Sequence, residues 1–197
     1  MKAFGLTGGI GMGKSAAEQW LRAHGISTVD TDALARQLCE PGKPALTEIQ
    51  YAFGSGIIGS DGALSRAALA EVVFNDAGAR RTLEGILHPR IRELWKRQLE
   101  LWRAGGMAVA VVIIPLLFET GAEKEFDATI CMACSAPTQR RRLLERGWTQ
   151  SQIEQRLAAQ WPIERKIAAA DYVIWTEGSV AVAGEQLERA LELSQRV

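Results

Sequence analysis

Apolar and polar positions alternate between two patterns along the chain. Short continuous apolar runs read as strands: KAFGLT (2–7), GISTVD (25–30), MAVAVVII (107–114), FDATICMA (126–133) and DYVIW (171–175). Between them the apolar residues recur at helical spacing. SAAEQWLRAH (15–24) predicts a helix with Trp20 and Leu21 on its inner side, and DALARQLCE (32–40) predicts one stopped by Pro41-Gly42. Downstream helices are predicted over APTQRRRLLERG (136–147), TQSQIEQRLAAQ (149–160), PIERKIAAA (162–170) and SVAVAGEQLERALELSQ (179–195).

Residues 44–105 differ from the rest, because they hold helical patterns and no strong strand. Four helices are predicted there: ALTEIQYAF (45–53), SRAALAEVVF (65–74), AGARRTLEGIL (77–87) and PRIRELWKRQLELWRA (89–104). Glycines at 54–62 and 105–106 punctuate them. The stretch suits a helical lobe inserted between two strands of a sheet. Strands alternating with helices predict an α/β three-layer sandwich with a parallel sheet, its central strand MAVAVVII covered on both faces.

Composition narrows this picture. At 197 residues, 47% apolar and 23% charged, the chain suits one domain with an inserted lobe. Lys and Arg balance Asp and Glu, which argues against nucleic acid as a partner, because coating it calls for a basic face. Only a local patch, Arg140, Arg141, Arg142 and Arg146, is basic. No apolar run reaches the roughly 18 residues of a membrane helix, so no membrane partner is expected. MKAFGLTGG has no signal-peptide apolar region, and a cytosolic location is the default expectation. Nothing in the pattern reads out an oligomeric state. Three cysteines do not make a disulfide framework. Cys131 and Cys134 have C-x-x-C spacing, but they close a strand rather than open a helix, which favours a structural role over a redox or zinc one.

The first chemistry-bearing motif is G-x-x-x-x-G-K-S, from Gly8 through Gly13 and Lys14 to Ser15. Glycines allow a tight bend in which successive N–H groups point at phosphate oxygens. Lys14 supplies a cation for the β- and γ-phosphates, Ser15 a hydroxyl for Mg²⁺, and the following helix its positive end. The preceding strand and following helix supply the context the motif needs. A nucleoside triphosphate is therefore expected.

Asp30 and Asp32 follow the second strand. In a parallel sheet that strand end shares an edge with the phosphate loop. A carboxylate there either accepts a proton from an acceptor hydroxyl or caps the next helix. Asp30 or Thr31 can serve as the cap, which leaves Asp32 available as a base. Arg142 and Arg146 share a helix face and Arg156 follows in the next helix. Such arginines either cover a nucleotide or form a solvated surface. Pro115 ends the third strand, and Leu116-Leu117 beyond it either form a pocket wall or mark a turn. A GTPase switch needs D-x-x-G and N-K-x-D motifs. No Asp here has Gly three residues later, and Asn75 is the sole asparagine.

Taken in order, these residues resemble the dephospho-CoA kinase family almost end to end. GLTGGIGMGKS, VDTDALARQL, EPGKPAL, SRAALAEVVF, LHPRIR, PLLFE, the Q-x-x-R-x-x-x-R formed by Gln139, Arg142 and Arg146, RLAAQ and ADYVI carry the resemblance. It implies phosphorylation of the ribose 3′-hydroxyl of 3′-dephospho-CoA by ATP with Mg²⁺, giving CoA and ADP. It implies Asp32 as the base, with Thr7, Lys14 and Arg142 about the phosphates and Mg²⁺ on Ser15. Gly8, Gly11, Met12, Gly13, Lys14, Ser15, Ala16, Arg142 and Arg146 would bind ATP. Arg36, His88, Arg92, Leu116, Leu117 and Glu119 are candidates for the acceptor, with Asp32. The implied build is a nucleotide core (1–32 and 107–197) with a lid at about 136–168, and a helical CoA-side lobe (33–105). Another P-loop small-molecule kinase, of nucleoside monophosphate or shikimate type, is the alternative.

The chain departs from the family pattern at three places. Ala16 replaces a Thr, removing a hydroxyl from the α-phosphate region. Gly147-Trp148 follows Arg146 where R-D-G is common, one residue shorter. Thr176 stands where an Asn commonly precedes x-Gly, which bears on any side-chain contact to adenine there.

Overall fold

A computed structural model describes residues 1–195 of the chain, which forms two compact units: Met1–Asp30 with Leu99–Val197, and Thr31–Gln98. The first unit is built on a parallel sheet of five strands, β1 (Lys2–Gly8), β2 (Ser27–Asp30), β3 (Val109–Ile113), β4 (Ala128–Ala133) and β5 (Tyr172–Trp175). Their order is β2-β3-β1-β4-β5. Leu6 lies beside Ile113 on one side and Ile130 on the other, while Asp30 pairs with Ile113. β3 is buried along its whole length, as a central parallel strand must be.

Helix α1 (Lys14–Ala23) follows β1, and α9 (Val180–Gln195) follows β5. Ala17 and Leu21 of α1 join Leu187, Ala190 and Leu191 of α9 in one core with Phe4, Leu6, Val111, Ile130 and Ile174 of the sheet. Leu117 and Phe126 close over Gly5 of β1. Because every strand is parallel, the carboxyl ends of all five share one edge. β1 lies where the connections turn from one side of the sheet to the other, and in such sheets ligands bind at that point.

Along this edge run α6 (Ala136–Glu145), α7 (Gln150–Ala158) and α8 (Ile163–Ala169). Gly147, at φ +80°, makes the turn between α6 and α7. The Thr149 side chain and Gln152 then form a reciprocal cap that starts α7.

The second unit is helical: α2 (Thr31–Leu38), α3 (Pro44–Phe53), α4 (Arg66–Asn75) and most of α5 (Ala77–Ala104). Cys39, Ile49, Ile57 and Leu69 form its core, with Leu83, Ile86 and Leu87 packed against them. Ser65 caps α4 by accepting from the Ala68 N–H at 3.4 Å.

The structure differs from the sequence reading here in one respect. The two helices expected over 77–87 and 89–104 are a single helix of 28 residues that continues through Pro89. A proline inside a helix removes one N–H and costs about 3 kcal/mol or more. Burial of Leu83, Ile86 and Leu87 before it and of Trp95 after it offsets that cost. The Arg90 guanidinium also donates to the Ile86 carbonyl at 2.6 Å and to Glu48 of α3 at 2.5 Å. Among the described residues, no helix is long and apolar enough to cross a membrane.

Candidate active site

The loop from Gly8 to Gly13 joins β1 to α1, and its glycines are required by its shape. At Gly8, with φ +145°, a Cβ would lie 2.4 Å from the Met132 carbonyl oxygen of the neighbouring strand. Gly13, immediately before α1, sits at φ +91° with Thr176 pressed against it. A side chain at Gly8 would collide with the Met132 backbone, and one at Gly13 would be held in the left-handed region that favours glycine, pressed against Thr176.

Lys14 lies on the first turn of α1, and its ammonium donates to the carbonyls of Gly8 at 2.8 Å and Gly9 at 3.0 Å. The cation is thus drawn across its own loop, beside the positive end of α1. Ser15 is exposed on the same turn. Met12 is buried beneath the loop.

Two glutamines pin the loop from above. The Gln139 amide of α6 donates to the Ile10 carbonyl at 2.7 Å, and the Ile10 N–H donates to the Gln160 side chain at 3.2 Å. Both residues lie in stretches that carried the family resemblance, but the sequence reading assigned neither to the site.

Arg142, one turn after Gln139, donates to the hydroxyl of Thr176 at 3.0 Å, to the Thr176 carbonyl and, at 3.5 Å, to the Gly11 carbonyl. The Thr176 hydroxyl in turn donates to the Met12 carbonyl at 3.4 Å. In this chain, then, the residue that replaces the expected Asn connects the arginine to the phosphate loop. Its neighbour Glu177 accepts from the Ser135 N–H at 2.5 Å and the Thr138 hydroxyl at 2.7 Å. These bonds, with Arg142 nearby, hold the Glu177 carboxyl down to about pKa 2. The carboxylate therefore fastens the start of α6, and with it Gln139 and Arg142, to the end of β5.

Beside the loop a cavity of about 360 Å³ opens. Gly11, Gly13, Ala16, Arg142 and Arg146 all line it. Arg146 is exposed, and Arg156 lies over the Trp148 ring at 4.3 Å.

A second polar group sits below the loop. Thr7 is fully buried and its hydroxyl donates to the Pro115 carbonyl at 3.1 Å. The same carbonyl accepts from Lys166 of α8 at 2.7 Å. Lys166 has no exposed surface and pairs with Glu119 at 2.8 Å, while Glu119 also accepts from the Trp161 N–H at 2.8 Å. Lys166 was missed in the sequence. Its signal was its place on the inward stripe of PIERKIAAA, three residues after Ile163 and four before Ala170. A lysine there reads as an end-of-helix charge unless its partner is known. Leu117 is fully buried against Gly5, whereas Leu116 is half-buried.

The remaining candidates belong to the helical unit. α2 begins at Thr31, so Asp32 lies within its first turn, exposed, with Arg36 exposed one turn later. His88 and Arg92 are one turn apart on α5 and half-buried. Cys131 and Cys134 are buried, free thiols. Burial pushes Cys131 up to about 11, against the pull of Lys166 and Lys14, so it is an inert thiol at neutral pH. Among the described residues no cluster of three or more His, Cys, Asp or Glu side chains is arranged to hold a metal ion.

Comparison with known proteins bears on this geometry. A dephospho-CoA kinase family model matches residues 2–181. A curated relative named dephospho-CoA kinase, from Anaeromyxobacter dehalogenans, is 43% identical over 97% of this chain and 91% of its own length. A crystal structure of a Thermus thermophilus protein superposes with TM-score 0.85 at 32% identity, covering 98% of this chain and 96% of its own. The dephospho-CoA kinase of Campylobacter jejuni gives TM-score 0.70 at 26% identity, over 98% and 97% of the two chains. With a phosphate-loop sheet of this design and a family match across nine-tenths of its length, the chain belongs to the dephospho-CoA kinase family.

Proposed function

We propose that the protein transfers the γ-phosphate of ATP to the ribose 3′-hydroxyl of dephospho-CoA, releasing CoA and ADP. The observation that carries this reading is the glycine loop at the carboxyl end of β1, in a chain that follows one kinase family along almost its whole length. Sheet and loop alone would serve any small-molecule kinase of this type. The family match is what favours dephospho-CoA over a nucleoside monophosphate or shikimate.

In this reading the N–H groups of residues 8–15 and Lys14 hold the β- and γ-phosphates, with Arg142 and Arg146 at the cavity neutralising charge that develops on the transferring group. Thr7 acts indirectly, through the Pro115 carbonyl. The exposed Ser15 hydroxyl, an oxygen ligand that suits a hard cation, would help hold Mg²⁺, which would supply charge neutralisation at the phosphates. Asp32 accepts the proton of the attacking 3′-hydroxyl as the oxygen–phosphorus bond forms and the bond to the ADP oxygen breaks. Candidate contacts to the acceptor are Arg36, His88 and Arg92 on the helical unit and, on the sheet unit, Leu116. Glu119, already holding Lys166 and the Trp161 N–H, serves to position rather than to bind.

Incubation with ATP, Mg²⁺ and dephospho-CoA, followed by mass spectrometry, should yield CoA. AMP, shikimate and pantothenate serve as rival acceptors. Phosphorylation of a rival in preference to dephospho-CoA would refute the acceptor assignment.

A further inference from the structure

The cavity beside the phosphate loop has a wall that the phosphate-binding residues do not explain. Ala16 and Trp20 are one turn apart on α1 and both line it, with Gly184 of α9 also at its edge. At about 360 Å³ the space falls in the range of small-ligand sites. Where the family pattern puts a threonine hydroxyl, Ala16 offers only a methyl group. One turn on stands a large aromatic ring.

That ring is held in place from two directions. His24 stacks on it with ring centroids 3.9 Å apart, and His24 Nδ1 lies 2.8 Å from the Trp20 carbonyl oxygen. On another side the pyrrole edge rests on the α9 backbone at Gly184. A Cβ at 184 would lie 2.1 Å from Trp20 Nε1 and 2.4 Å from Cε2, closer than any real contact. Gly within a helix is less stable than Ala, so the position carries a cost that the close approach of the indole accounts for. An alanine there would have to displace the indole. Trp20 also packs against the apolar core of the sheet unit, and the part of it that is not covered lines the cavity.

We infer that Trp20 is a nucleotide-binding residue, the aromatic wall against which the purine base of ATP packs, and that Gly184 is the space that sets this wall back from the bound base. The inference rests on ATP as phosphate donor and adds a base-contacting residue to that reading. It also gives Ala16 a counterpart: binding lost with the hydroxyl near the α-phosphate is offset by apolar contact with the base.

The test uses the full-length protein and four variants: Trp20→Ala, Trp20→Phe, Gly184→Ala and the double Trp20→Ala/Gly184→Ala. Base–aromatic contact predicts that Trp20→Ala raises KM for ATP about tenfold, with kcat and the KM for dephospho-CoA changed far less. Trp20→Phe retains most of the affinity. Gly184→Ala alone raises KM for ATP, while adding it to Trp20→Ala has no further effect, because no indole remains to be displaced. Inorganic tripolyphosphate, which has no base, should inhibit wild type and Trp20→Ala with equal strength. ATP should change the tryptophan fluorescence of the wild type, and Trp20→Phe should lose that change; this readout needs no turnover. Unchanged KM for ATP in folded Trp20→Ala, or equal weakening of ATP and tripolyphosphate, would overturn the inference. A wild type that binds neither ATP nor tripolyphosphate would remove the donor reading, and this inference with it.

Discussion

The two units of this chain differ in how their candidate site residues are supported. In the sheet unit the polar residues that frame the phosphate loop are buried, Thr7 and Lys166 fully, Gln139 and Thr176 nearly so, while Ser15 and Arg146 at its mouth are exposed. Each of the buried ones is held by hydrogen bonds or a charge partner. In the helical unit Asp32 and Arg36 are exposed on the first turns of one short helix. A phosphate cradle works by aiming backbone dipoles that do not reorganise when charge arrives, and this demands a rigid, buried frame. A residue proposed as the base, as Asp32 is, would instead have to meet a hydroxyl carried in from solvent. The contrast teaches that substitutions in the first unit should act through stability and donor affinity, and those in the second through the chemical step.

The most severe challenge to that contrast is Asp32→Asn. If Asp32 is the base, kcat should fall by about 10²–10⁴-fold. ATP affinity and melting temperature should barely change, because the side chain is exposed. Steady-state kinetics and thermal unfolding measure both, and an unaltered kcat would put the base elsewhere.

Lys166→Met should behave in the opposite manner. Removing one partner of a buried ion pair leaves Glu119 uncompensated and costs about 3–5 kcal/mol, read by denaturant unfolding. Replacing Glu119 with Leu in the same protein should recover part of that loss. A fully stable single variant would show that the frame beneath the loop does not depend on this pair.

The smallest expected effect concerns Glu177. Its carboxyl is held down, by its bonds to Ser135 and Thr138 and by Arg142, from the usual 4.5 to about 2. A depressed carboxyl contributes stability that is fully present above its unfolded value. That contribution is lost as pH falls through the folded one. Glu177→Gln should therefore be slightly less stable than wild type at neutral pH. The difference should shrink between about pH 4.5 and 2 and vanish below. Unfolding curves across that range measure it, and a pH-independent difference would break the link between β5 and α6.

Much of this molecule was legible in its amino-acid order. The five strands and the parallel sheet followed from short apolar runs alternating with helical periodicity. The phosphate loop followed from glycine and lysine spacing. These are local codes, in which one segment determines its own conformation, and a phosphate site built from consecutive N–H groups is local too. Family membership was legible because its motifs occur in order along the chain.

Tertiary structure decided what depends on partners distant in sequence. Pro89 reads as a helix boundary, and only the burial of Leu83, Ile86, Leu87 and Trp95 carries α5 through it. Lys166 reads as a solvated charge until the chain brings it to Glu119 and the Pro115 carbonyl. Thr176 reads as a lost contact until folding joins it to Arg142 and the Met12 carbonyl. Gly184 reads as a flaw in α9 until Trp20 lies against it. Burial, pairing and close approach are properties of two segments at once, so no single stretch of sequence encodes them.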